Sequence, residues 1–259
     1  MTERIIEKKA GAVGWLVFNN PERRNAVSID MWEAIPLVLS KFESDPEVRV
    51  VVLAGAGDKA FVSGADISQF ESQRSSQQAV QRYEEIAEAA QLRLLTFDKP
   101  VLAMIRGYCL GAGVNIANVC DLRIASEEAR FGIPAAKMGL GYRASSMKHL
   151  VDTVGAPFAR EIMLTGRQFS AAEAREMGLV HKVVPAADLE KAVRECTDTI
   201  AANAPLTMRA AKRIIRELLK KDFDAARCKS WVKECFDSED YSEGRRAFME
   251  KRKPVFKGK

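Results

Sequence analysis

The sequence predicts an α/β fold. Short β-branched, apolar runs bounded by turn residues recur between residues 13 and 125, helical segments separate them, and the second half reads as mostly helical. Strands that alternate with helices argue for stacked sheets with helices packed outside them.

The elements follow in order. Val13–Phe18 is an apolar run closed by Asn19-Asn20-Pro21. Ser28 is placed to cap a helix carrying Met31, Trp32, Ile35, Val38, Leu39 and Phe42, with a kink expected at Pro36, whose ring removes an N–H and crowds the previous turn. Residues 48–54 form the clearest strand, bounded by Asp45-Pro46 and Gly55. Residues 77–97 read as a long helix ended by Asp98-Lys99-Pro100, Val101–Ile105 as a strand, residues 112–119 as a helix and 122–125 as a strand. Further on, residues 156–164 are helical. Ser170-Ala171-Ala172-Glu173 is a capping box, Gly178 stops that helix, and residues 180–184 form a short strand. Residues 189–202, 205–219 and the stretch from Cys228 onwards are helices with charged faces.

Bulk properties exclude several classes of function. A chain of 259 residues, 47% of them hydrophobic, buries a sizeable core without disulfides or metals. The net charge of +5 is a mild excess, so a nucleic-acid partner is not expected; the runs at 212–213, 220–221 and 251–253 read as solvated helix faces or ends. Five cysteines without C-x-x-C spacing fit a reducing, cytoplasmic setting. The polar first ten residues make no secretory signal, and no apolar run approaches the ~20 residues that span a bilayer. His149 and His181 alone cannot build a typical zinc site.

Two glycine-bearing loops carry the chemistry. Phe61-Val62-Ser63-Gly64-Ala65-Asp66-Ile67 follows the strand at 48–54, and Gly107-Tyr108-Cys109-Leu110-Gly111-Ala112-Gly113 follows Val101–Ile105. Glycine admits positive φ and close approach to the backbone, and a helix N-terminus offers free N–H groups with about half a unit of positive charge. Such donors suit an oxygen that gains negative charge during a reaction. The second loop is no dinucleotide fingerprint, since its glycines do not follow G-x-G-x-x-G.

Together, in this order, the loops resemble those of the crotonase (enoyl-CoA hydratase/isomerase) family. The resemblance continues through Asn25-Ala26, Lys99-Pro100-Val101, the run from Cys120 to Ala125, Phe131-Gly132, Leu164-Thr165-Gly166, Ala174, Gly178-Leu179-Val180, Val183-Val184 and the tail from Phe248 to Pro254. It implies a ββα spiral core over residues 1–195 and a helical C-terminal region over 196–259, assembled as homotrimers or dimers of trimers. It also implies an acyl-coenzyme A substrate, with coenzyme A as part of that substrate and no separate cofactor or metal. By the same resemblance the backbone N–H groups of Ala65 and Ala112 would hold the thioester oxygen. The backbone from Ala65 through Asp66 and Ile67 to Ser68 would line the adenine pocket. Arg23 and Arg24 would lie near pantetheine and phosphates, and Phe248 and Lys251 would reach a neighbouring subunit's ligand. Asp66 has a second reading, as a residue that orders its loop by bonding nearby N–H groups.

The chain departs from the hydratase pattern at two positions. Hydratases of this family use two glutamates where this chain has Asn115 and Ala135. Hydration needs a base for water and an acid for the α-carbon, and neither replacement moves a proton at neutral pH. Glu127, Glu128 and Lys137 are the neighbouring ionisable groups in sequence. What remains is an oxyanion hole, which suits enolates formed by loss of a group other than a proton, such as CO₂ from a malonyl-type thioester. Tyr142 matches a tyrosine of methylmalonyl-CoA decarboxylase-like members, although those carry histidine where this chain has Ala65. Tyr142 either orients a carboxylate or packs structurally. Asn115 either donates to substrate or caps its turn, and Arg143 either pairs with a carboxylate or lies on the surface. A hydratase or isomerase with a replacement acid/base, and a non-catalytic coenzyme A binder, are the alternatives.

Overall fold

The computed structural model describes residues 2–66 and 77–259. Ile67 and Ser68, implicated above in an adenine pocket, lie outside the described residues. The strands are β1 (Ile5–Ala10), β2 (Val13–Phe18), β3 (Val50–Gly55), β4 (Ala60–Val62), β5 (Val101–Ile105), β6 (Tyr108–Leu110), β7 (Leu122–Ser126), β8 (Arg130–Gly132), β9 (Phe169–Ser170) and β10 (Lys182–Val184). The helices are α1 (Ile29–Ser44), α2 (Gln77–Thr96), α3 (Ala112–Asn118), α4 (Ala144–Thr165), α5 (Ala171–Glu176), α6 (Leu189–Ala201), α7 (Pro205–Leu218), α8 (Ala225–Phe236) and α9 (Glu239–Met249).

The strands form two sheets, one in the order β1-β2-β3-β5-β7-β10 and one in the order β4-β6-β8-β9. Each of the pairs β3/β4, β5/β6 and β7/β8 sends its first strand to the large sheet and its second to the small one, and each pair is followed by a helix, α2, α3 or α4. This is a spiral of ββα turns, an architectural repeat without visible sequence self-similarity. Side chains on the large sheet, such as Leu53, Ala103 and Ala125, share one core with Phe61, Val62 and Cys109 of the small sheet.

The sequence expectations hold for the long elements and shift at the ends. The strand expected at 48–54 occupies Val50–Gly55, and the capping box at Ser170 closes in both directions with Glu173. The helix expected at 156–164 starts at Ala144, with one break at Gly155, where φ is 73°. Pro36 does not end α1, whose buried face carries Met31, Trp32, Ile35, Val38, Leu39 and Phe42. A buried side chain of this kind contributes about 1.5–3 kcal/mol, so several together outweigh the ~3 kcal/mol that an interior proline costs. Strands β1, β4, β6, β8 and β9 were not anticipated. The last four are only two or three residues long and lie within or beside segments that read as loops or caps.

Two sets of contacts fix the helices that matter for the site. Arg123, buried on β7, donates to the carbonyls of Ala117 (3.0 Å), Cys120 (2.7 Å) and Leu179 (2.7 Å), so a cation meets the C-terminal end of α3. Lys212 of α7 pairs with Asp121 and donates to Lys99 O, while Arg213 pairs with Asp98 and Arg216 donates to Leu95 O. The basic pair 212–213, expected to be solvated, instead ties the C-terminal helices to the end of α2 and the start of β5.

Gly113 packs the N-terminal turn of α3 against β4. A Cβ built there would lie 2.2 Å from Val62 O. Glycine-to-alanine exchange inside a helix ordinarily stabilises by about 1 kcal/mol. Here Gly113→Ala is expected to destabilise by roughly 1–3 kcal/mol through overpacking. Urea unfolding reads the sign directly, and a stabilised variant would contradict the close approach.

Candidate active site

The two loops meet because short strands hold them side by side. β4 pairs in parallel with β6, matching Ala60 with Tyr108 and Val62 with Cys109. Gly64 and Ala65 follow the end of β4, and Gly111 and Ala112 follow the end of β6. The loops touch: a Cβ built on Gly111 would lie 3.8 Å from Gly64 Cα. Gly111 itself has φ 52° and ψ −111°, and its N–H donates to Gly132 O at 2.8 Å.

The orientation of each amide follows from its neighbours' bonds. Val27 N donates to Gly64 O (2.9 Å), and Asp66 N donates to Val27 O (3.0 Å), a parallel bridge around Ala65. The residue between such bonds turns its own N–H away from the partner strand. Ala112 is the first residue of α3, so its N–H has no intrahelical acceptor. Asn25 braces the first loop from below. Its Nδ2 donates to Ala56 O and Ala60 O, and its Oδ1 accepts from Asn20 N.

A cavity of about 180 Å³ opens beside these loops and is lined by Ala65 and Ala112 together with Asn115, Ala135 and Tyr142. The Tyr142 hydroxyl donates to Asn115 Oδ1 at 2.5 Å. Asn115 Nδ2 has no acceptor among the described residues and can still donate. Burial pushes the Tyr142 phenol above its ordinary value, against the opposing effects of the Asn115 bond and the Arg143 charge, so it stays protonated through neutral pH. Arg143 also lines the cavity and donates to Glu84 O at 2.6 Å. On the α2 wall, Trp32 Nε1 donates to the Tyr83 hydroxyl (3.0 Å), and buried Gln91 accepts from Ser146 Oγ at 3.4 Å.

The other sequence candidates lie apart from this lining. Asp66 is buried and pairs with Arg23 at 2.9 Å, which supplies a loop-ordering role. Arg24 lies over the Tyr108 ring at 5.0 Å. Both arginines adjoin the cavity through Ser63, whose N–H donates to Arg24 O and whose hydroxyl donates to Arg23 O. Phe248 and Lys251 are exposed near the C-terminus, and Phe248 lines a separate groove between α7, α8 and α9. Glu127, Glu128 and Lys137 are exposed and outside the cavity lining. Among the described residues none beyond Ser146 lines it, so the C-terminal helices of the same chain take no part in this cavity. Sequence reasoning passed over Glu84, Gln91 and the Trp32–Tyr83 pair. The signal was available on α2, where 84, 87 and 91 share one helical stripe. No group of three or more metal-ligating side chains occurs among the described residues.

A model of the enoyl-CoA hydratase/isomerase family matches residues 8–259. The chain belongs to that family. It is similar to a short-chain-enoyl-CoA hydratase of Clostridium acetobutylicum, with 35% identity over 96% of this chain and 95% of the relative. It is also similar to a peroxisomal Delta(3,5)-Delta(2,4)-dienoyl-CoA isomerase of Arabidopsis thaliana, with 33% identity over 98% and 96%. Among solved structures, a family protein from Hyphomonas neptunium superposes with a TM-score of 0.94 at 37% identity, covering 98% of this chain and 97% of that one. The fold is thus the crotonase fold, and an acyl-CoA substrate is consistent with family membership.

Tyr142→Phe removes one hydrogen bond from the cavity wall of this hydratase/isomerase-family protein. Stability is expected to fall by about 1 kcal/mol in thermal unfolding. Because burial raises the phenol, wild type and variant should show equal tyrosinate absorbance near pH 10, where an ordinary phenol is about half ionised. An excess in the wild type would show that Tyr142 titrates normally.

Proposed function

We propose that this protein binds an acyl-CoA thioester, holds its carbonyl oxygen between the N–H groups of Ala65 and Ala112, and stabilises the enolate without the hydratase glutamate pair. One observation carries the reading: both amide-bearing residues line the same cavity as Asn115, Ala135 and Tyr142. Two of those positions are where the family's hydratases carry glutamates. Loss of CO₂ from a malonyl-type thioester asks least of the side chains. The C–C electron pair flows to the thioester oxygen, where pre-aligned donors act most strongly. In this reading Tyr142, held by Asn115, orients the departing carboxylate, and Arg143 adds positive charge on the same wall.

Isomerisation or hydration by a replacement acid/base is the second reading, supported by the activities named for the hydratase and isomerase relatives and by Glu84 on the cavity wall. In either case Arg23 and Arg24 serve the pantetheine and phosphates, and Phe248 and Lys251 serve a ligand bound by a neighbouring subunit of a trimer or dimer of trimers. The division into a core at 1–195 and a C-terminal region at 196–259, and action in the cytoplasm, belong to the same proposal. Among the described residues no helix is long and apolar enough to cross a membrane.

Ala112→Pro tests the oxyanion role with little damage to the fold. Proline is accepted at the first position of a helix. The φ and ψ of Gly111 mirror the extended conformation favoured before proline, which achiral glycine adopts freely. Turnover of malonyl-, methylmalonyl- and crotonyl-CoA is compared for wild type and variant. The best wild-type activity is expected to fall about 10²–10³-fold with kcat. Unchanged kcat in the variant would remove Ala112 from the mechanism.

A further inference from the structure

We infer that Glu84 is the group that exchanges a proton with the substrate's α-carbon. This rests on the enolate reading above and supplies the acid/base which that reading lacks. The argument starts from the lining of the cavity. Among the described residues, Glu84 is the only carboxylate there. The other polar side chains cannot take a proton near neutral pH. Asn115, Gln91, Ser63 and Ser146 carry no basic atom in that range, the Arg143 guanidinium and the Trp32 indole offer donors only, the Tyr83 hydroxyl accepts from Trp32, and Tyr142 is held in its protonated form by burial.

Position and freedom point the same way. Glu84 shares the α2 stripe of Ala87 and Gln91, both of which also line the cavity, so its side chain projects along that wall. It is half-buried, and among the described residues its carboxylate has no ion pair or hydrogen-bond partner, whereas many of the chain's carboxylates are engaged. Its backbone is fixed, because Arg143 donates to its carbonyl oxygen at 2.6 Å. The guanidinium therefore engages the main chain and leaves the carboxylate unneutralised.

The step balances. A carboxylate oxygen of Glu84 takes the α-proton, the C–H electron pair becomes the enolate C=C, and the carbonyl π pair moves to the oxygen between Ala65 and Ala112. Reversal returns a proton from the carboxylic acid, which itself exchanges with water. In decarboxylation the same acid delivers the proton that replaces CO₂. On a β,γ-unsaturated thioester, return of the proton at the γ-carbon completes a double-bond shift with one acid/base group.

Exchange of the α-hydrogens of butyryl-CoA in D₂O, followed by mass spectrometry, isolates the proton transfer from any net reaction. Calorimetric binding of butyryl-CoA is measured in parallel for wild type, Glu84→Gln and Glu84→Asp. Wild type is expected to incorporate deuterium. Glu84→Gln should bind with unchanged affinity and exchange at least 10²-fold more slowly, and Glu84→Asp, which keeps the carboxylate, should recover part of the rate. Exchange within about threefold of wild type in Glu84→Gln overturns the role of Glu84 and leaves the oxyanion reading standing. A folded Glu84→Asp with no more exchange than Glu84→Gln also counts against it. Wild-type protein that binds the thioester yet neither exchanges deuterium nor turns over any thioester overturns both.

Discussion

The parallel pairing of β4 with β6 is the constraint on which the site depends. Neighbouring strands lie about 4.7–4.9 Å apart. Two donors at the ends of such strands can share an oxygen about 2.7–3.1 Å from each. Loops of this length could not hold that spacing alone. The ladder is short, and each of its bonds contributes only about 0.5–1.5 kcal/mol net. It persists because Phe61, Val62 and Cys109 are fully buried around it, and because glycine at 107 and 113 lets the backbones approach where a Cβ would lie 2.1 Å and 2.2 Å from carbonyl oxygens. The spacing of the two loops is therefore a property of the core, transmitted outward by two short strands.

The large sheet, the long helices and the glycine loops were legible because periodicity and punctuation report local structure. Val101–Ile105 and the capping box at Ser170 are cases where burial and local chemistry agree. What sequence could not give was the second sheet. A strand of three residues has no period to detect, and β4, β6 and β8 owe their conformation to partners far along the chain. The same limit explains the site. Asn115, Ala135 and Tyr142 were singled out through a family pattern, but the bond between Asn115 and Tyr142 joins positions 27 residues apart. Glu84 escaped notice because the stripe it shares with Ala87 and Gln91 tells it apart from exposed Glu85 but does not say that the stripe faces a cavity.

The polar wall has its own logic. The Asn115–Tyr142 pair is neutral and hydrogen-bonded, so it survives burial without the cost of an unpaired charge. A glutamate in the same position would face the Tyr142 hydroxyl as a buried anion. A neutral pair there keeps formal charge away from that part of the cavity wall. It leaves that charge on the α2 side and at the start of α4, where Glu84 and Arg143 stand.

That displacement bears on which reactions the fold can host. With the thioester carbonyl held by the main chain, as proposed above, the direction from which a proton is added or removed depends on the element that carries the acid. An acid on α3 lies two residues past the last glycine of the oxyanion loop and moves with it. One on α2 sits on a separate helix, anchored to the start of α4 through Arg143 and to α1 through Tyr83 and Trp32. Residues of both helices line the one cavity. Under the proposed function, relocating one carboxylate therefore changes the proton chemistry with no change to the short strands that hold the two loops.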